Sequence, residues 1–293
     1  MTKTVGIGIL SWKAHETLEA SLESYRDNGF LDLFDQRMIY FSDLSNIDKQ
    51  IAAKYEWSYS GGANEGIAGG MKRLAENMDT DYILLLQNDN PIVENAEFAE
   101  QHIRKAVELM EENKVDLCRM RHRWKVGEGF ADVSKYLKFF PAQDIDQSFI
   151  SQEHGFKNVE YRDSIRKKIL RVLRFRKTHK LKGRSIFIER KPNQIYPDNI
   201  RRDGDFFIVD SSILDFTDQC LLISKKMWLD VFIPFVEANP SSRAPNGFQA
   251  PEICINRGWW RKKHFKIAQG PGLFSHARQD GSFRVEHHTN SKL

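Results

Sequence analysis

Tyr82-Ile83-Leu84-Leu85-Leu86 is an unbroken apolar run that stops abruptly at Gln87-Asn88-Asp89-Asn90-Pro91. A short continuous run without alternation suits a strand covered on both faces, and such strands sit in parallel sheets packed between helices. The rest of the N-terminal part agrees. Val5–Leu10 and Arg37–Phe41 read as further buried strands, and Tyr55–Tyr59 as a short third one. His15–Tyr25, Ile47–Lys54, Met71–Asn77 and Phe98–Asn113 carry apolar residues at helical spacing, and Asp116–Met120 reads as one more strand. Strands alternating with helices predict βαβ units and a mainly parallel α/β sheet flanked by helices, in which ligands bind beyond the carboxyl ends of the strands. The polar ends at Ser11-Trp12, Asp43 and Asn88-Asp89 are then expected in one crevice.

The chain has 293 residues, 41% of them hydrophobic with 20 Phe and 6 Trp, enough for a sizeable core. A net charge of +4 gives no argument for nucleic acid, and none is expected as a partner. Cys118, Cys220 and Cys254 form no CxxC pair. That argues against a disulfide framework or zinc site and fits a reducing compartment. The N-terminus reads as a first strand and not as a signal peptide. No run reaches the ~18 apolar residues of a membrane span. The expected location is cytoplasmic, with or without peripheral membrane contact.

The middle of the chain differs. From Arg162 to Arg184 eleven Lys/Arg face one acid, Asp163, while Ile165, Ile169, Val172 and Leu173 lie near one helical face. This reads either as a solvated basic helix or as an amphipathic surface for an anionic lipid or charged acceptor. Regular structure resumes near Phe206, with a strand at Gln219–Ser224, helices at Lys225–Val236 and Pro251–Lys263, and a strand at Phe265–Ala268. A single catalytic domain is expected: a nucleotide-binding half over 1–120, a basic insertion over 121–205, an acceptor-side half over 206–280 and a polar tail over 281–293.

Four groups of residues carry chemistry. Asp89 and Asn88 end the apolar strand, where a carboxylate could hold a divalent cation against phosphate oxygens; Asn-Asp-Asn-Pro is equally good turn chemistry. Ser60–Gly70 holds five glycines before a helix N-terminus, which favours anions, although its spacing matches neither common phosphate-loop pattern. Asp43 can accept hydrogen bonds from a ribose or base, or serve as a turn residue. Glu252 is a candidate base for an acceptor hydroxyl, or an ordinary acid at a helix start. His276 is a candidate metal ligand or a structural histidine.

Taken together these segments resemble the GT-A glycosyltransferases, in particular the inverting family-two enzymes and their rhamnosyltransferase-like branch. Gly6–Trp12 is similar to the first nucleotide-binding strand. Asn64-Glu65-Gly66-Ile67-Ala68-Gly69-Gly70 is similar to an Asn-x-Gly-x-x-Gly-Gly block, Tyr82–Val93 to the strand with a DxD-type motif, and Glu252 through His276 to the acceptor-side acid and late histidine. Gln87 stands where that motif has its first Asp. The resemblance implies a Rossmann-like GT-A fold and a nucleotide diphospho-sugar donor held by Ser11, Trp12, Asp43, Asn64, Gly66, Gly69, Asn88 and Asp89. It also implies Mn²⁺ or Mg²⁺ on Asp89 and His276, Glu252 as base, and a glycan or lipid-linked acceptor; the membrane contact expected through 162–184 rests on the basic insertion alone, which has no counterpart in that family. Two rival readings stand beside it. A sugar-1-phosphate nucleotidyltransferase would carry an Arg soon after the first strand, and Ser11–Glu19 has none. A non-catalytic sugar-nucleotide or glycan-binding module would tolerate the weakened motif.

Overall fold

A computed structural model describes residues 3–125, 127, 132–141, 143–144, 163–243 and 247–279. The expected tail at 281–293 and Arg162 lie outside these residues. Among the described residues the strands are β1 (Val5–Ser11), β2 (Gln36–Ser42), β3 (Ser58–Gly62), β4 (Tyr82–Gln87), β5 (Leu117–Arg121), β6 (Ile200–Asp203), β7 (Phe206–Asp210), β8 (Leu221–Ser224) and β9 (Lys266–Phe274). They form one sheet in the order β3-β2-β1-β4-β8-β5-β9-β7-β6. The four strands β3, β2, β1 and β4 run parallel. β8 is inserted antiparallel between β4 and β5, and β9 returns parallel beside β5. The expected mixed α/β fold with a largely parallel sheet between helices is the one observed.

Burial on both faces explains why β4 is so apolar. Ile83 and Leu85 enter one core with Leu74 of α3 (Gly66–Glu76), Trp228, Phe232 and Trp260. Leu84 and Leu86 enter the other with Leu18 and Tyr25 of α1 (His15–Asn28), Ile51 of α2 (Asn46–Lys54) and Ile103 of α4 (Ala96–Glu111). Each helix lays its apolar stripe on the sheet, which supplies most of its stability. Side-chain caps fix two starts: Ser45 forms a capping box with Asp48, and Asn95 accepts from the Phe98 N–H.

Several boundaries differ from the sequence expectation. The third strand lies at Ser58–Gly62, because Trp57 is buried beneath the sheet edge and the chain turns there. The charged segment Ile200–Asp203, assigned above to the insertion, is an edge strand of the main sheet, paired antiparallel with β7. Edge strands are commonly charged, which hides them from apolar patterning. The helix expected over Pro251–Lys263 is two, Pro251–Ile255 and Gly258–Lys263. Asn256 sits between them, accepting from the Phe216 N–H and donating to the Phe216 carbonyl. The basic segment likewise divides into Ile165–Leu173, Phe175–Leu181 and a 3₁₀ stretch Lys182–Phe187.

The last strand extends well past Ala268, to Phe274, through Gly270-Pro271-Gly272, which resembles turn chemistry in sequence. Gly272 has φ +87°, and a Cβ there would lie 2.3 Å from the Arg121 carbonyl oxygen and 2.5 Å from His122 Cα. Neither backbone atom can rotate away. Gly272→Ala is therefore expected to cost at least about 2 kcal/mol. A melting curve should show a fall of roughly 4–8 °C; an unchanged curve would contradict this packing.

Candidate active site

The chain passes from β1 outward to β2 and β3, then crosses back to β4 on the other side of β1. This reversal opens a crevice beyond the carboxyl ends of β1 and β4, where open α/β sheets take ligands. The register brings more chain to the same edge. Leu85 of β4 pairs with Leu221, the first residue of β8, so the segment just before β8 reaches the crevice. β5 and β9 run parallel, so Arg121 and the residues after Phe274 reach it too.

One half of the crevice gathers Trp12, Asp43 and Asn64. Asp43 is held at φ +59° after β2. Its carboxylate accepts from the Trp12 indole N–H at 3.0 Å and the Asn64 backbone N–H at 3.1 Å, with Lys13 Nζ at 3.6 Å. The Trp12 hydrogen bond, followed by those of Asn64 and Lys13, holds this carboxyl below its ordinary range against the opposing effect of burial. Trp12 is only half-buried and does not cap the core. Ser11, by contrast, is 1% exposed with its hydroxyl enclosed in the protein, so it is not brought to the ligand face.

The glycine-rich segment is not the loop that the sequence suggests. It begins as β3, and α3 starts at Gly66, so Gly69 lies within the first turn of the helix. Asn64 Oδ1 accepts from the Gly66 N–H at 2.8 Å and fixes this start. Gly66 has φ +73°, and a Cβ there would meet Phe248 Cβ at 2.5 Å. Close packing against the 247–250 segment accounts for that glycine; Gln249 extends the contact by accepting from the Ala68 N–H at 3.0 Å.

The other half of the crevice is built on the turn after β4. Asn90 closes it by accepting from the Gln87 N–H at 2.8 Å. Asn88 is buried, and its carbonyl accepts from Ser21 Oγ. Asp89 is 1% exposed. Its Oδ2 meets His276 Nε2 at 3.0 Å and Arg278 Nε at 2.9 Å, and its backbone carbonyl accepts from the Ala277 N–H. Oδ1 is buried and has no hydrogen-bond partner among the described residues. Burial pushes the Asp89 carboxyl up, but the hydrogen bonds and charges of His276 and Arg278 together outweigh it and hold it below the ordinary value.

Asp218, just before β8, was not singled out by sequence. It is 4% exposed, and its Oδ1 accepts from Gln87 Nε2 at 3.4 Å. Burial raises its carboxyl well above the ordinary range, and the nearby charges of Glu252 and then Asp89 add to this. Gln87 is uncharged but touches a carboxyl delivered just ahead of another strand. Glu252 stands half-buried in the first turn of the helix Pro251–Ile255. The structure therefore gathers Asp89, His276, Asp218 and Glu252 at one end of the crevice, with Trp12, Asp43 and Asn64 on the neighbouring strand ends. Arg278 was also missed, because no spacing rule links it to a residue 189 positions away.

Among the described residues, no three His, Cys, Asp or Glu side chains converge closely enough to hold an ion by themselves. Mg²⁺ and Mn²⁺ often need fewer, since they bind through one or two carboxylates and complete their shell with waters and substrate phosphates. The unpartnered Asp89 Oδ1 beside His276 fits that mode.

Fold and site thus define a mixed α/β protein with carboxyl groups gathered at a topological switch point. No protein-family model matches the chain, and no curated protein matches it. Among solved structures it is similar to S. aureus TarS 1-349, at 10% identity over 94% of this chain and 60% of that one, with TM-score 0.45. A glucosyl-3-phosphoglycerate synthase from Mycobacterium tuberculosis in complex with Mn²⁺, uridine diphosphate and glucosyl-3-phosphoglycerate matches at 12% identity over 40% of this chain and 43% of that one, TM-score 0.32. A mannosyl-3-phosphoglycerate synthase from Rubrobacter xylanophilus matches at 17% identity over 46% of each chain, TM-score 0.35. The chain spans less than two thirds of each of these structures. Likeness of this degree says nothing about activity.

Proposed function

We propose that the protein is a glycosyltransferase that takes a sugar from a nucleotide diphospho-sugar and passes it to an acceptor hydroxyl with inversion. The observation that carries this is the Asp89 carboxylate, buried at the tip of β4 at the switch point, with one oxygen on His276 and Arg278 and the other without a hydrogen-bond partner among the described residues.

Each group has a task in this reading. Trp12, Asp43 and Asn64 hold the nucleoside. Asp89 and His276 would hold a divalent cation, which supplies charge stabilisation to the departing diphosphate. Arg278 adds a positive charge at the same place and pairs readily with phosphate oxygens. Glu252, the more accessible carboxylate, takes the acceptor proton as its oxygen attacks the anomeric carbon from the face opposite the diphosphate. Asp218 and Gln87 form the buried floor beneath it. The acceptor is a glycan or a lipid-linked hydroxyl in this proposal.

A panel of uridine, thymidine and guanosine diphospho-sugars with Mn²⁺ tests the reading. The expected product is the free nucleoside diphosphate, released slowly by hydrolysis and faster with an acceptor. Pyrophosphate released from a nucleoside triphosphate would instead assign a nucleotidyltransferase. Binding without any turnover across the panel would assign a sugar-nucleotide-binding module. Asp43→Asn keeps an acceptor for Trp12 and is tolerated at positive φ. Loss of the charge toward a ribose should weaken nucleoside diphosphate binding about five- to tenfold, read by calorimetry; equal affinity would move the nucleoside elsewhere.

A further inference from the structure

The helix Ile165–Leu173 is held to the protein by one face only. Leu170 packs against the core, and Arg171 makes two bonds to Asp163, at 2.7 and 2.9 Å, and one to the Phe139 carbonyl at 2.8 Å. Residues on an α-helix are about 100° apart. Ile165, Ile169, Val172 and Leu173 therefore share an arc of about 100° on the side opposite Leu170 and Arg171. All four are exposed, at 76%, 53%, 74% and 73%, and Phe175 continues the patch at 64%. Soluble proteins seldom leave so many large apolar side chains together in water without a partner. Lys168 borders the arc on one side and Arg166 on the other, both exposed. Arg174, Arg176, Lys177 and Lys180 follow, also exposed, with the Arg176 guanidinium over the Phe175 ring. No acid lies within 164–184.

We propose that this face docks on the surface of an anionic lipid bilayer, with the apolar stripe entering the acyl boundary and the flanking cations on the headgroups. The charge pattern selects this occupant. An apolar stripe rimmed on both sides by lysine and arginine matches an interface that is apolar below and anionic above. A polyanion such as nucleic acid would use the cations and leave the stripe in water. Among the described residues no helix is long and apolar enough to cross a membrane, so the contact is peripheral. It uses neither Asp89 nor Glu252 and stands whatever reaction the crevice performs.

Co-sedimentation of the full chain with extruded vesicles tests this. Vesicles of phosphatidylcholine with phosphatidylglycerol should bind at least about tenfold more tightly than phosphatidylcholine alone, and added salt should weaken the binding. The triple change Ile165→Ser, Ile169→Ser and Val172→Ser, which keeps every charge, should lower anionic-vesicle binding about tenfold or more. Val172→Asp serves as a second, minimal variant, and unchanged melting confirms that either is folded. Absence of vesicle binding, equal binding to both vesicle types, or full binding by the folded apolar variants would overturn the proposal. So would sedimentation equilibrium showing a dimer that the triple change dissociates, since a second copy would then own the stripe.

Discussion

Asp89→Asn is expected to lower sugar transfer by two to four orders of magnitude, the rate equivalent of losing several kcal/mol of charge stabilisation at a departing diphosphate. The substitution keeps the size of the side chain and leaves the bond from the Ala277 N–H to the residue-89 backbone carbonyl in place. It removes the charge shared by His276 and Arg278. The same change also acts on stability. Because the folded carboxyl sits below its ordinary value, Asp89 contributes stability above the unfolded carboxylate range, which is lost as pH falls through the folded pKa. The variant should therefore melt lower than the wild type at neutral pH, and the gap should close on acidification. Breaking one side of a buried ion pair typically costs about 3–5 kcal/mol; the partly exposed Arg278 places this case at the lower end. Transfer at the wild-type rate by a folded Asp89→Asn protein would remove Asp89 from the chemistry.

The second large effect separates two neighbouring carboxyls. Glu252→Gln should reduce turnover by about 10²–10⁴, the usual contribution of a positioned base, while donor affinity stays unchanged. Asp218→Asn should behave differently. Its carboxyl is raised well above the ordinary range, so the folded state binds that proton more tightly than the unfolded chain. Stability from this group is present at low pH and falls as pH climbs from the ordinary carboxylate range toward the raised value. Neutralising it should stabilise the protein at neutral pH by about 1 kcal/mol, roughly 2–4 °C in melting. Paired pH-dependent melting and turnover of both variants check this. A Glu252→Gln enzyme with normal turnover, or an Asp218→Asn protein that melts lower above neutral pH, would reverse the assignment of roles.

The sequence made the sheet legible where burial was complete. β4, β1 and β2 are apolar on both faces, and α4 carries a full stripe, so periodicity locates them within a few residues. Legibility failed where an element is defined by its neighbours. β6 is a charged edge that exists only because β7 folds back on it. β9 hides a glycine-proline-glycine segment that turns into strand because Gly272 lets it press on Arg121 and His122. α3 begins inside the glycine-rich stretch because Asn64 and Phe248 fix it there.

The site divides in the same way. Asp89, Asp43 and His276 follow recognisable strands and Glu252 stands at a helix start, so chemistry-bearing residue types at those positions draw attention. Asp218 and Arg278 are a lone acid and a lone cation in irregular chain. Only the insertion of β8 beside β4 and the return of β9 beside β5 carry them to the crevice. Such long-range juxtaposition leaves no local pattern to read.

The most direct test is calorimetric titration of uridine diphosphate, with and without Mn²⁺, into the wild type and into Asp89→Asn. A divalent-cation clamp on Asp89 predicts tight binding only when metal and carboxylate are both present, and a loss of about tenfold or more when either is removed. Binding of equal strength in all four combinations, with guanosine and thymidine diphosphates behaving alike, would contradict it.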